Sequence, residues 1–229
     1  MLLKSLLNLF YPGPCLTCAK PLRNNEVSIC TICRDEFPKT HFINYKANQA
    51  AKLFYGKVKL VNVAAYYWYS KQHIIQELIF QLKYRNHQEI GELLANWIVF
   101  DIKKSNQFKD IDYIIPVPLH PKKLKKRGYN QLTVFGKTLA KGLACQLEEN
   151  ILLKTKNTIT QTKAGKEKRW KNTQNVFALA ENISSDFEGK HFLLIDDVLT
   201  TGATLLACAL ELKKIPESRV SILTIAMGA

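Results

Sequence analysis

Two adjacent carboxylates, Asp196 and Asp197, follow the apolar stretch of HFLLIDDVLTTGATL, and threonines around one glycine follow them. Carboxylates beyond a buried strand can accept hydrogen bonds from vicinal hydroxyls, as on a ribose, or hold a hydrated magnesium. Thr200, Thr201, Gly202, Ala203 and Thr204 then supply a tight turn, hydroxyl donors and backbone N–H groups at the start of a helix whose dipole favours an anion. A ribose and one phosphate, side by side, are the simplest ligand that uses both halves. Neither G-x-x-x-x-G-K-[ST] nor G-x-G-x-x-G is present in this loop, which argues against nucleoside triphosphate and dinucleotide sites. Taken singly, the aspartates could only cap a helix and the threonines only shape a turn.

Thiols form a second cluster. Cys15 and Cys18 flank two residues, as do Cys30 and Cys33, and eleven residues separate the pairs. Two such knuckles can converge on one zinc ion and fill all four tetrahedral positions, which makes the metal structural and not catalytic. A redox dithiol and disulfides are the competing readings, the second requiring an oxidising compartment. Cys145 and Cys208 lie among Leu and Ala in helical patterns and read as buried, inert thiols.

Net charge is +14, and the excess is concentrated. HPKKLKKRGYNQ carries Lys122, Lys123, Lys125, Lys126 and Arg127 without an acid, and the stretch from Lys154 to Lys171 carries seven cations against Glu167 alone. Such runs attract phosphates, of a small ligand or of nucleic acid, or serve only as a solvated face. With 47% hydrophobic and 23% charged residues the composition is that of an ordinary soluble protein. No stretch reaches the ~18 apolar residues of a membrane span, so stable membrane insertion is not expected. Leu2, Leu3, Leu6, Leu7 and Phe10 recur at helical spacing, and Lys4, Ser5 and Asn8 break the run that a secretory signal needs. Reduced thiols and no export signal point to a cytoplasmic protein.

The elements that position these residues follow from hydrophobic period. Residues 1–45, with four of the six cysteines, form a small zinc-ribbon-like module, and residues 46–229 form the main domain. In the latter, VKLVNVAAYYWY reads as strand, and Ile74, Ile75, Leu78, Ile79 and Leu82 mark one helix face. Ile90, Leu93, Leu94, Trp97 and Ile98 mark a second. IDYIIPVP is a strand that Pro116 and Pro118 stop, a basic loop follows, and Leu132, Phe135, Leu139 and Leu143 mark a third helix. Residues 154–175 have too few apolar side chains to bury and read as a mobile flap or an excursion from the sheet. HFLLI as strand, Thr204–Lys214 as helix and VSILTIAM as strand complete the pattern. Alternation of this kind predicts an α/β fold, a mostly parallel twisted sheet flanked by helices.

LLIDDVLTTGAT resembles the phosphoribosyl diphosphate (PRPP) binding motif of type I phosphoribosyltransferases. With the N-terminal cysteines, IIPVPLHPKKLKKRGYNQ and ITQTKAGKEKRWKNTQNVF in this order, the chain resembles the ComF family of competence-associated proteins over nearly its whole length. That resemblance implies a PRPP-binding segment of Asp196, Asp197, Val198, Leu199, Thr200, Thr201, Gly202, Ala203 and Thr204. The aspartates would take the ribose hydroxyls and act in catalysis, with Asp197 able to serve as general base. Pro118, Lys122, Lys126 and Arg127 would face the diphosphate, and Lys163, Lys166 and Arg169, within Gln161–Arg169, would close over the reacting centre. Magnesium would arrive with the diphosphate and be held mainly by the ligand. Displacement of diphosphate by a nitrogen nucleophile is the implied reaction, and no segment reads as an acceptor pocket. The alternative implied by the family is a non-catalytic protein that handles single-stranded DNA and meets other competence proteins, with Tyr129 and Trp170 as stacking surfaces among the basic runs.

Overall fold

The apolar runs become the strands of one parallel sheet, built from β1 (Val63–Tyr69), β2 (Tyr113–Pro116), β3 (Gln146–Leu147), β6 (His191–Leu199) and β7 (Arg219–Gly228) in the spatial order β1-β7-β6-β2-β3. The computed structural model describes residues 13–23, 26–69, 74–85, 87–155 and 176–228, with no side chain described at 126 and 127. The amphipathic stretch Leu2–Phe10, the segment Gln161–Arg169 with Lys163, Lys166 and Arg169, and Trp170 lie outside the described residues.

Helices α3 (Ile74–Tyr84), α4 (Gln88–Lys104) and α6 (Leu132–Leu143) cover the sheet with the stripes that their spacing predicts; Leu78, Leu82, Ile90, Leu94, Ile98, Phe135 and Leu139 are wholly buried. Each such side chain contributes about 1.5–3 kcal/mol by leaving water. A Cβ on Gly142 would stand 2.6 Å from Val99, so α6 and α4 approach where no side chain fits between them. Helix α7 (Ala203–Leu212) joins β6 to β7.

Three local features differ from the sequence reading. The basic run is helical, α5 (Pro121–Arg127), because His120 accepts a hydrogen bond from the Lys122 N–H at 3.2 Å, Pro121 starts the helix and Gly128 ends it at φ 79°. Strand β6 does not stop at Ile195 but runs through the aspartates to Leu199. Finally β4 (Leu152–Lys154) and β5 (Phe177–Leu179) pair antiparallel, so the ends of the basic segment are gathered into a ribbon of their own beside α7. Strands of three residues are too short to leave a period in the sequence.

The cysteine-bearing segment packs on the free edge of β1. Lys39 bridges to Tyr67, the Trp68 N–H donates to Pro38 O at 2.8 Å and the Thr40 N–H to Tyr66 O at 3.0 Å. Those bonds cover an edge that would otherwise invite pairing with another chain. Phe37 sits 5.4 Å from the Tyr67 ring and 5.7 Å from that of Trp97, joining the segment to the main core.

Candidate functional site

The connections from β6 and from β2 leave in opposite directions. Helix α7 carries β6 to β7 on one side, whereas α5 and α6 carry β2 outward to β3 on the other. A crevice must open between the carboxyl ends of two strands whose crossovers diverge, and ligands of open α/β sheets bind there. The β2 ladder ends at Pro116 opposite Ile195, with a last bond from the Val117 N–H to Ile195 O at 2.9 Å. Beyond it β6 stays paired with β7 as far as Leu199 and Met227. Proline in β2 thus uncovers one flank of β6 from Asp196 onward.

Adjacent strand residues point to opposite faces, and this separates the two aspartates. Asp196 is partly exposed and lines a cup with Thr200, Thr201, Gly202, Ala203 and Thr204, a concavity of about 240 Å³ open to solvent. Its carboxylate accepts the Asp197 N–H at 2.8 Å. Burial, and then the charge of Asp197, push Asp196 up to about 7, while the cations Lys83 and Lys154 pull it the other way. Asp197 is buried and turns toward α3 and α6, where Lys83 Nζ lies 2.9 Å from one carboxylate oxygen and Gln131 Nε2 donates to the other at 2.9 Å.

Gly202 caps α7 at φ 74°, a conformation costing a residue with a Cβ roughly 1–2 kcal/mol. A Cβ there would also stand 3.2 Å from the Phe54 ring. The turn is therefore drawn tight against the core; the Ala203 N–H donates to Thr201 Oγ1 at 3.5 Å, and Ala203, Thr204 and Leu205 at the start of α7 line the cup. Val198 and Leu199 line the cup as well, Leu199 fully buried.

Residues 133–228 match the phosphoribosyl transferase domain family. DNA utilization protein YhgH of Escherichia coli (strain K12) is 27% identical over 209 residues, covering 85% of this chain and 88% of its own. Competence protein F of Haemophilus influenzae is 33% identical over 148 residues, covering 63% of this chain and 64% of its own. The chain thus joins similarity to the phosphoribosyl transferase domain over residues 133–228 with similarity to proteins of DNA utilization and competence. Among solved structures, adenine phosphoribosyltransferase from Saccharomyces cerevisiae aligns at 18% identity with a TM-score of 0.40, over 63% of this chain and 72% of that one; overlap so slight adds nothing to the family.

Three consecutive side chains of GYNQ tie the site together. The Tyr129 hydroxyl donates to Leu82 O at 2.8 Å, Asn130 accepts the Leu132 N–H at 3.0 Å at the start of α6, and Gln131 holds Asp197. Tyr129 is therefore part of the scaffold and is partly exposed. Lys83 and Gln131 escaped the sequence reading because each lies far along the chain from Asp197 and carries no signal of its own.

Of the residues expected at the diphosphate, Pro118 follows directly on the last bond between β2 and β6, and Lys122 is exposed on α5. Side chains of Lys126 and Arg127 lie outside the described residues. Lys154, at the end of β4, lies 5.0 Å from the Phe177 ring centroid. Burial and the like charge of Lys123 lower its pKa, and Asp196 raises it, which puts a second cation in the electrostatic reach of the cup.

Cys15, Cys18, Cys30 and Cys33 bring their sulfurs within 4.8 Å of one another, three of them buried and Cys18 exposed. The Cys30 N–H donates to Cys15 Sγ at 3.3 Å and the Cys33 N–H to Cys30 Sγ at 3.5 Å, amides that stabilise thiolates. Burial would raise Cys15, but bonds from Thr17 and nearby amides draw it down to about 6. Burial pushes Cys33 up to about 12, so its thiolate needs a cation close by. Sulfur type, number and proximity fit a structural zinc held by all four residues. Cys208 is fully buried in α7, with a pKa well above the usual thiol range from burial and the Asp196 charge. Among the described residues no helix is long and apolar enough to cross a membrane.

Proposed function

We propose that this chain binds PRPP or a related phosphoribosyl ligand at the carboxyl ends of β6 and β2, with the 5′-phosphate in the turn at Gly202 and the ribose hydroxyls over Asp196 and Asp197. The observation that carries this reading is the shared cup: one partly exposed carboxylate and the turn that starts α7 line the same concavity, where a sugar and its phosphate would lie side by side. The diphosphate would then lie along Pro118, Lys122, Lys126 and Arg127, with Lys163, Lys166 and Arg169 closing from the segment between β4 and β5. Few carboxylates face the crevice, a donor set that suits magnesium carried in by the diphosphate better than a cage built by the protein.

The transfer this arrangement supports breaks the bond between the anomeric carbon and diphosphate and forms one to a nitrogen nucleophile, whose proton leaves to a base such as Asp197 or to water. Cations neutralise the leaving group, and the carboxylates stabilise positive charge growing on the ribose, so no protein nucleophile is required. Calorimetric titration of the intact protein with PRPP and magnesium should show saturable binding, most of which Asp196→Asn removes. No heat of binding from the intact protein would overturn the reading.

The names of the relatives, DNA utilization protein and Competence protein F, support a role in DNA uptake. A specific observation favours contact with single-stranded DNA. Phe80 and Tyr84 are exposed on α3, their rings 5.1 Å apart, with the Arg85 guanidinium 5.7 Å from the Phe80 ring centroid. Aromatic faces beside arginine stack unpaired bases. Affinity for a single-stranded oligonucleotide should fall with salt, each phosphate contact adding about −0.7 to the slope of log K against log salt. A slope near zero, or a Phe80→Ala, Tyr84→Ala variant that binds unchanged, counts against it.

A further inference from the structure

We infer that Lys83, which lies outside every motif of the phosphoribosyl site, is a positioning residue for that site, the resident cation that neutralises and orients Asp197 behind the carboxylate that lines the cup. The inference rests on the phosphoribosyl reading and assigns a role within it.

Two neighbouring carboxylates repel each other, and both repel a diphosphate. Lys83 Nζ, 2.9 Å from Asp197, removes one of those charges from the balance before any ligand arrives. The pair is not of the exposed kind that contributes little, since the side chains are only 23% and 9% accessible. Burial alone would lower the Lys83 pKa, yet the charge and hydrogen bond of Asp197 prevail and it is raised.

The surrounding bonds hold this geometry in place. Tyr129 fastens the last turn of α3 through Leu82 O, the carbonyl next to Lys83, and Gln131 fastens the other oxygen of Asp197 from the start of α6. Lys83 and Gln131 use one acceptor position on each carboxylate oxygen, and a carboxylate offers about four. Asp197 therefore keeps capacity for a ribose hydroxyl while its orientation is set. Removing the cation leaves a buried carboxylate without its charge partner beside Asp196, adding negative charge behind the site that must receive a polyanion.

The test is a double-mutant cycle on PRPP affinity with magnesium present, measured calorimetrically well below the melting temperature, together with a thermal melt of every variant. Lys83→Met should weaken PRPP by about tenfold or more, Lys83→Arg should recover most of that loss, and in an Asp197→Asn background Lys83→Met should change affinity by less than about twofold. Lys83→Gln replaces the methionine variant if the latter does not fold. Equal losses in both backgrounds, no recovery by arginine, or a lowered melting temperature with unchanged affinity would each overturn the inference. If the intact protein binds PRPP and Lys83→Met binds as well as it does, the role of Lys83 falls and the phosphoribosyl reading stands. If the intact protein does not bind PRPP, both fall together.

Discussion

Protein purified without added metal is expected to carry about one equivalent of zinc, and removing it with a strong chelator should lower the melting temperature by about 10 °C or more. The expectation follows from where the four-cysteine segment sits. Cys15, Cys30 and Cys33 are in the same core cluster as Phe37, Tyr67 and Leu94, and the backbone from Pro38 to Thr40 closes the edge of β1. If the knuckles open, Phe37 leaves the Tyr67 and Trp97 rings and the guanidinium of Arg34, 4.9 Å from the Trp97 centroid, goes with it. Loss of one large aromatic from a core costs about 3–5 kcal/mol, and in a chain of this size each kcal/mol moves the melting point by roughly 2–4 °C. Cys30→Ser should reproduce most of the loss. Elemental analysis and calorimetric melting check both; a metal-free protein whose melt is unaffected by chelator would dispose of the structural zinc.

Affinity for PRPP at saturating magnesium should rise by about tenfold between pH 6 and pH 8, and Asp196→Asn should remove that rise along with most of the binding. Burial and the neighbouring Asp197 charge lift Asp196 to about 7, so most of it is protonated at pH 6 and ionised at pH 8. The ionised carboxylate accepts stronger hydrogen bonds from the two ribose hydroxyls, and on both oxygens, than the protonated group can. Stability should move in the other direction. The folded value lies above the ordinary 3.8, so the native state holds a proton that the unfolded chain has released between about pH 4 and pH 7. Stability from Asp196 is complete below about pH 4 and is lost as pH rises through 7. Comparing melts of the unliganded protein with Asp196→Asn across this range isolates the contribution, because other carboxylates titrate in both. A binding profile that stays flat in the intact protein would show that Asp196 does not meet the ribose as a carboxylate.

Asp196 also shows why a motif can be legible while its electrostatics are not. The pair Asp196 and Asp197 stands out in sequence because two charges after an apolar run are unusual, and that local contrast survives without any knowledge of neighbours. Their different environments come from Lys83, Gln131 and Lys154, which reach them from α3, α6 and β4. No spacing rule links residues so far apart in the chain. The helix α5 is a different case: proline at its start and glycine at its end were visible in HPKKLKKRG, and the density of lysines concealed them.

Hydrophobic period alone determined that strands and helices alternate here, and therefore that the main sheet is parallel, because each strand must be returned to the same end by a helix. Residue chemistry alone determined the two clusters: four thiols in paired knuckles, and carboxylates followed by a glycine turn. Tertiary structure decided the order β1-β7-β6-β2-β3, which opens the crevice between β6 and β2, and the position where β2 ends, which uncovers Asp196. It also decided that Asp196 faces the cup while Asp197 turns to a lysine. The physical reason is that local pattern encodes which face of an element is buried, whereas the partners of a charged side chain depend on which distant elements the packing brings within about 3 Å of it.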